Sequence, residues 1–264
     1  MDTTTKHDAP LLFTTTEGVA RLTFNRPAQL NTIDIAMAEA FETACRAIAA
    51  DRSVRVVVLN GAGRSFGAGG DLSAFRDDPT TTAPQVMEPM HAGLRLLTTI
   101  DAPVIASLHG VVAGGALSLA LACDLAIAAE GTRFNLAYVN IGSSCDVSGS
   151  YSLPRLVGLR NALAIALLGE TFDAAEALRL GLVNKVVAAD ALVDATETWV
   201  RRFATGPTLA LGRLKRLMRT SFEHDLASQL DRERDAFVEG TKTADFKEGL
   251  AAFFARRPAV FSGK

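Results

Sequence analysis

Two stretches of small residues in this chain have the composition of an oxygen-binding backbone. One is Ser65-Phe66-Gly67-Ala68-Gly69-Gly70-Asp71-Leu72. Glycine and alanine leave backbone N–H groups uncovered toward anything placed beside them. The other is His109-Gly110-Val111-Val112-Ala113-Gly114-Gly115-Ala116-Leu117-Ser118, which reads as a strand end, a glycine pair and then an apolar helix. The first N–H groups of a helix lack internal partners, and the helix dipole makes that end electropositive. Donors from two separate segments that converge on one oxygen form an oxyanion hole, which needs no charged side chain and suits the enolate of a thioester. Taken alone, each stretch is also what a tight turn after a strand requires. Two other glycine chemistries fail. Gly61-Ala62-Gly63-Arg64-Ser65-Phe66 begins like a dinucleotide fingerprint, but Phe66 occupies the third glycine position. No Lys-Ser/Thr pair follows, as a phosphate-cradling loop would need.

The elements around these stretches alternate. Residues 11–13 and 19–24 read as short strands about the Glu17-Gly18 turn, and Asn25-Arg26-Pro27 breaks the second. Residues 34–50 have helical spacing through Met37, Phe41, Ala44 and Ile48. Residues 54–59 and 104–108 are apolar enough for buried parallel strands, and 125–129 reads as another strand. Helices are predicted over 87–100 and 115–122, and a polar loop over 77–85. Alternation of this kind means an α/β fold. From Gly206-Pro207 onward only helices are predicted, over 208–220, 224–240 and 243–256. The expected organisation is a loose tail over 1–10, a core with the site over 11–205, and a helical region for subunit contacts over 206–264.

Composition narrows the classes. The chain has 264 residues, 27 Lys+Arg against 29 Asp+Glu, and 48% hydrophobic residues, which excludes extensive disorder. The near-neutral charge and 6% aromatic content argue against a nucleic-acid surface. Cys45, Cys123 and Cys145 have no disulfide or metal spacing and read as free buried thiols of a reducing compartment. No metal site is expected. The most membrane-like window, 111–129, contains Asp124, which is costly in lipid, so it reads as a buried element of a cytoplasmic protein without membrane contact.

The motifs together resemble the enoyl-CoA hydratase/isomerase (crotonase) superfamily. The resemblance is carried by Phe66-Gly67-Ala68-Gly69-Gly70-Asp71-Leu72, Pro103-Val104-Ile105-Ala106, Gly110 to Gly115, and Ala122-Cys123-Asp124-Leu125. Asn25-Arg26-Pro27 before Leu30-Asn31, Leu153-Pro154-Arg155-Leu156-Val157-Gly158, and the ending from Asp245-Phe246 to Phe261 continue it. It implies a crotonase-like spiral of ββα units with a C-terminal helical region. It also implies trimers or dimers of trimers, acyl-CoA thioester substrates, and no cofactor beyond the CoA of the substrate. The family's oxyanion donors fall on the amides of Gly70 and Gly115. Its CoA contacts fall near Arg26, Ala28, Leu30 and Ala68, with Asp71, Leu72, Ser118 and Tyr138 as further substrate-side positions.

The chain departs from the hydratases of that family at both of their glutamates, which align with Ser118 and Tyr138. Neither is suited to orienting water or protonating carbon near neutral pH. Asp146 remains, and a single Asp here resembles the Δ3,Δ2-enoyl-CoA isomerases and the ring-modifying isomerases of phenylacetate catabolism. The expected reaction is a double-bond shift through an enolate, with Asp146 as the one base. Asp146 also suits a cap of the helix near Ser150. Hydration or lyase chemistry is one alternative. His91 and Asp146 together resemble the base and nucleophile of 4-chlorobenzoyl-CoA dehalogenases, a second alternative, and His91 also suits a pocket wall. Loss of catalysis in a CoA-ester-binding protein is a third. Cys145 lacks a partner His, His7 is in the tail, His224 is in the C-terminal helices, and His109 reads as structural. Glu88 reads as exposed. Arg213, Lys215, Arg216 and Arg219 read as a solvated helix face, with CoA phosphate as the other possibility, and Arg256-Arg257 is read the same way. The 77–85 loop and the 87–97 helix are expected to line the acyl pocket.

Overall fold

The computed structural model describes residues 9–264. His7 and most of the tail expected over 1–10 lie outside the described residues. β1 (Leu11–Thr16) and β2 (Val19–Phe24) form a hairpin about Glu17 and Gly18, whose φ values of 50° and 77° suit a tight turn between twisted strands. The sheet continues in parallel through β3 (Val56–Gly61), β4 (Val104–Leu108), β6 (Leu125–Ala129) and β9 (Lys185–Val187), in the order β1-β2-β3-β4-β6-β9. A smaller sheet contains β5 (Val111–Ala113), β7 (Arg133–Asn135) and β8 (Phe172–Asp173).

The repeating logic is a strand in the large sheet, a strand in the small one, then a helix. β4 and β5 lead into α3 (Gly114–Ala122), and β6 and β7 lead toward α4 (Gly149–Leu168). α1 (Ile35–Ala50) and α2 (Pro79–Thr99) cover one face of the large sheet. Gly93 lets these two helices approach, since a β-carbon there would lie 2.7 Å from the Phe41 ring. After α5 (Ala174–Arg179), α6 (Leu192–Ala204) covers the opposite face, with Val200, Trp199 and Phe203 against Val56, Val58 and Ile105. Burial on both faces explains why β3 and β4 are continuous apolar runs. α3 is buried along its whole length.

α2 starts eight residues earlier than the sequence suggests, so the loop expected over 77–85 is mostly helix. Asp78 accepts a hydrogen bond from the Thr81 amide and Pro79 opens the first turn, where a missing N–H costs nothing. Beyond Gly206 the chain forms α7 (Thr208–Thr220), α8 (Leu226–Thr241) and α9 (Ala244–Phe254), with no strand among the described residues there. The basic run on α7 is not a solvated face. Lys215 has only 7% of its side chain exposed and pairs with Asp124 at 2.7 Å, while Arg219 pairs with the other Asp124 oxygen at 2.6 Å. Lys215 also donates to the carbonyls of Leu97 and Ala102, and Arg216 pairs with Asp101. Asp124, the residue that argued against a membrane span, is the centre that docks α7 on the sheet. No described helix is long and apolar enough to cross a membrane.

Candidate active site

The first small-residue stretch threads between two neighbours. On one side Gly67 forms a parallel bridge with Val112, its amide donating to Val111 and its carbonyl accepting from Ala113. On the other side the Ala68 amide donates to Leu30, the Gly69 carbonyl accepts from Ile33, and the Asp71 amide donates to Ile33. Gly70 is bridged to Ile33 in parallel. In that pattern the flanking residues make the bonds, so the Gly70 amide itself faces the other way, toward the start of α3. Beyond that bridge Gly69 meets the start of α3, since a β-carbon built on Gly114 would lie 3.4 Å from Gly69 Cα, and Gly70 follows directly.

Gly69 makes this approach possible. Its φ is 96°, and a β-carbon there would lie 3.1 Å from the Ala113 carbonyl oxygen and 3.4 Å from the Gly115 nitrogen. Gly115 lies in the first turn of α3, whose N-cap, Ala113, offers no side-chain bond. Among the described residues neither the Gly70 nor the Gly115 amide has a hydrogen-bond partner. Two unpaired donors at one electropositive helix end can bind a carbonyl oxygen and hold the charge it gains.

Asp146 stands across from them. A β-carbon built on Gly115 would lie 3.6 Å from Asp146 Oδ1, 3.6 Å from the Tyr138 hydroxyl and 3.8 Å from Val147 Cγ2. The Tyr138 hydroxyl donates a very short hydrogen bond to Asp146 Oδ1. Ser118 Oγ is 3.2 Å from the same hydroxyl. Burial, then the neighbouring Asp146 charge, pushes the Tyr138 phenol far above its ordinary value, so it keeps its proton. Ser118 is fully buried one turn along α3 from Gly115, with its hydroxyl on Tyr138. Its hydroxyl is thereby engaged by Tyr138, the other substrate-side position expected in this part of the chain. His91, on α2, accepts a hydrogen bond at Nε2 from the Val147 amide at 3.2 Å.

The turn expected to meet CoA is built as a self-contained knot. Arg26 Nη2 lies 2.9 Å from Asp71 and 3.1 Å from Asp34, and Arg26 Nη1 donates to the Thr32 carbonyl at 2.6 Å. The Arg26 amide donates to Asn31 Oδ1 and its carbonyl accepts from Gln29 and Asn31. Asp71 is further bonded to Ser73 Oγ at 2.6 Å, and that bond, with Arg26, holds its carboxyl below the usual range. The side chains of Arg26 and Asp71 are thus engaged with each other and with the turn. Ala28 is exposed at the tip, Leu30 and Ala68 are half-buried beside it, and Leu72 is exposed.

Sequence reasoning assigned no role to Asn31, which organises the knot. It is buried and donates to the carbonyls of Ala62 and Ser65. Its φ of 56° is a left-handed value that Asn tolerates, and that was the available signal. Phe75 was also missed, and its ring lies 3.6 Å from a β-carbon built on Gly70.

The remaining candidates fall away from the glycine pair or are otherwise engaged. His109 Nε2 is 3.0 Å from the Gly63 carbonyl, and Glu88 is exposed. Burial pushes the Cys45 thiol up, and burial with the Asp124 charge takes Cys123 to about 12, so neither is a thiolate near neutral pH. No group of three or more metal-ligating side chains exists among the described residues. A cleft of about 840 Å³ lies between α7, α8 and α9, lined by Leu217, Phe237, Phe246 and Phe253. We place the candidate site at the glycine pair, because unpaired donors facing a carboxylate define chemistry and apolar volume alone does not.

Comparison with known proteins shows the family to which the chain belongs. The model of the enoyl-CoA hydratase/isomerase family matches residues 14–264. The chain is 36% identical over 252 residues to the 1,2-epoxyphenylacetyl-CoA isomerase of Escherichia coli, covering 94% of this chain and 96% of that protein. It is 34% identical over 251 residues to a Rhodobacter capsulatus protein named "Probable enoyl-CoA hydratase", covering 94% and 96%. The solved structure of a Mycobacterium smegmatis enoyl-CoA hydratase superposes with a TM-score of 0.89 at 33% identity, covering 96% of this chain and 98% of that one. A family model that spans nearly all of the chain, and a matching α/β spiral with C-terminal helices, make this protein a member of the enoyl-CoA hydratase/isomerase, or crotonase, family and so an enzyme of acyl-CoA chemistry.

Proposed function

We propose that the enzyme moves the double bond of an enoyl-CoA, converting a 3-enoyl thioester to the conjugated 2-enoyl thioester. The observation that supports this reading is the single carboxylate, Asp146, facing two unpaired amides at Gly70 and Gly115. The thioester carbonyl oxygen sits between the amides. Asp146 removes a proton from C2, and the electron pair delocalises onto that oxygen as a dienolate. The same carboxyl then returns the proton at C4, leaving the double bond between C2 and C3. No water is consumed. One preorganised donor of this kind is worth about 2.7–4 kcal/mol of transition-state stabilisation.

Ser118 and Tyr138, which stand where the hydratases carry glutamates, are bonded to each other, and Tyr138 also to Asp146. That arrangement offers no second carboxylate to orient water. His91 has its Nε2 lone pair on the Val147 amide, which argues against the dehalogenase-like reading. The backbone of Ala28 and Ala68 is the reading's contact for the CoA nucleotide and pantetheine. The protein acts as a homotrimer or dimer of trimers, with Phe237, Phe253 and Phe254, each at least 67% exposed, as candidates for the subunit contact.

The test is turnover of a 3-enoyl-CoA in H₂¹⁸O. The expected result is a conjugated product without the label, and loss of turnover with retained CoA-ester binding in Asp146→Asn. Labelled product, or an active Asp146→Asn, would overturn the reading.

A further inference from the structure

Asp146 is delivered by a backbone that its neighbours do not favour. Val147 has φ 47° and Ser148 has φ 70°, two consecutive left-handed residues, one of them β-branched. Such a conformation persists only where surrounding contacts over-determine it. Two hydrogen bonds from separate elements meet this turn. From the 3-10 turn Tyr138–Ile141, the Tyr138 hydroxyl donates to Asp146 Oδ1, with Ser118 Oγ behind it. From α2, His91 Nε2 accepts from the Val147 amide. The Val147 side chain is buried against the Gly115 end of α3, so the turn is held on three sides.

Accepting a bond at Nε2 requires a lone pair there, so the ring is neutral with its proton on Nδ1. An imidazole used in this way is not free to draw a proton from water. We propose that His91 is a positioning residue. It fixes the left-handed turn through the Val147 amide, and together with the Tyr138 bond to Oδ1 it orients the Asp146 carboxylate toward the Gly115 end of α3. This gives the histidine expected at the pocket wall a role exerted through Asp146, in place of the base of the dehalogenase-like alternative. This inference rests on Asp146 being the base of the proposed reaction.

His91→Gln and His91→Leu separate the two roles. The terminal amide of Gln supplies an acceptor for the Val147 amide without an imidazole, and Leu supplies none. Measured would be kcat and KM for a 3-enoyl-CoA, deuterium incorporation at C2 and C4 from D₂O, and the thermal midpoint, each beside Asp146→Asn. In His91→Leu, kcat and the exchange rate should fall together by about tenfold or more, with KM within about twofold, as expected when orientation and not binding is lost. In His91→Gln most of the rate should return. Wild-type kcat in His91→Leu would overturn the proposal. So would a folded His91→Gln that is inactive, because the imidazole itself would then be required. If His91→Leu does not fold, His91→Gln alone decides between these outcomes. An active Asp146→Asn would instead overturn the isomerase reading, so the two failures remain distinct.

Discussion

Gly115→Ala adds a single methyl group at a position where its direction is known. Gly115 is not in the left-handed region, so alanine is conformationally acceptable there. The new carbon would sit 3.6 Å from both Asp146 Oδ1 and the Tyr138 hydroxyl, and 3.8 Å from Val147 Cγ2, all ordinary contact distances. Folding therefore tolerates the substitution, and removing a helical glycine can add up to about 1 kcal/mol of stability. Catalysis on the proposed reading does not tolerate it. The methyl occupies the space between the Gly115 backbone and the carboxylate, which C2 of the thioester must enter for proton transfer over about 3 Å. Displacing the carbonyl from one donor alone costs about 2.7–4 kcal/mol, or 10²–10³ in kcat. The assay is the rise in absorbance of the conjugated thioester, with a thermal melt alongside. A variant with wild-type melting and wild-type turnover would refute the placement of the site.

Three further outcomes follow from the contacts. Tyr138→Phe removes a charge-assisted hydrogen bond to Asp146, of a class worth about 1.5–3 kcal/mol, and should lower kcat by about tenfold or more with KM little changed in steady-state kinetics. Asp124→Ala leaves the buried Lys215 without its partner and should destabilise the fold by about 3–5 kcal/mol, read from denaturant unfolding. Ser73 and Arg26 hold the Asp71 carboxyl below its ordinary value. Its contribution is therefore complete above the ordinary Asp value of about 4 and is lost as the pH falls through the lowered one. The thermal midpoint of Asp71→Asn should accordingly converge on that of the wild type as the pH is lowered through that depressed value.

Much of the framework could be read from residue order because the forces that set it are local. β4 and β6 coincide with the predicted strands and α7 with the predicted helix, since their apolar pattern and their Gly and Pro boundaries lie within the segments themselves. The start of α2 was hidden because Pro79 and Pro84 read as loop, while the Asp78 cap that permits Pro79 is visible only with the helix in place. Lys215 and Arg219 show the same limit. Four residues apart on a helix they read as a solvated face, and only Asp124, 95 positions before Arg219, turns them inward. At the site, the glycine stretches and Asp146 could be found from composition and resemblance. The bonds of His91 and Tyr138 could not, because both depend on where a left-handed turn at Val147 and Ser148 places its atoms.

The central claim is that the Gly70 and Gly115 amides share one thioester oxygen opposite Asp146. A crystal structure of Asp146→Asn with a 3-enoyl-CoA bound tests it most directly. The account predicts the carbonyl oxygen within about 3 Å of both nitrogens, with C2 and C4 beside the residue at position 146. A carbonyl bound elsewhere, or amides turned toward the protein's own oxygens, would contradict it.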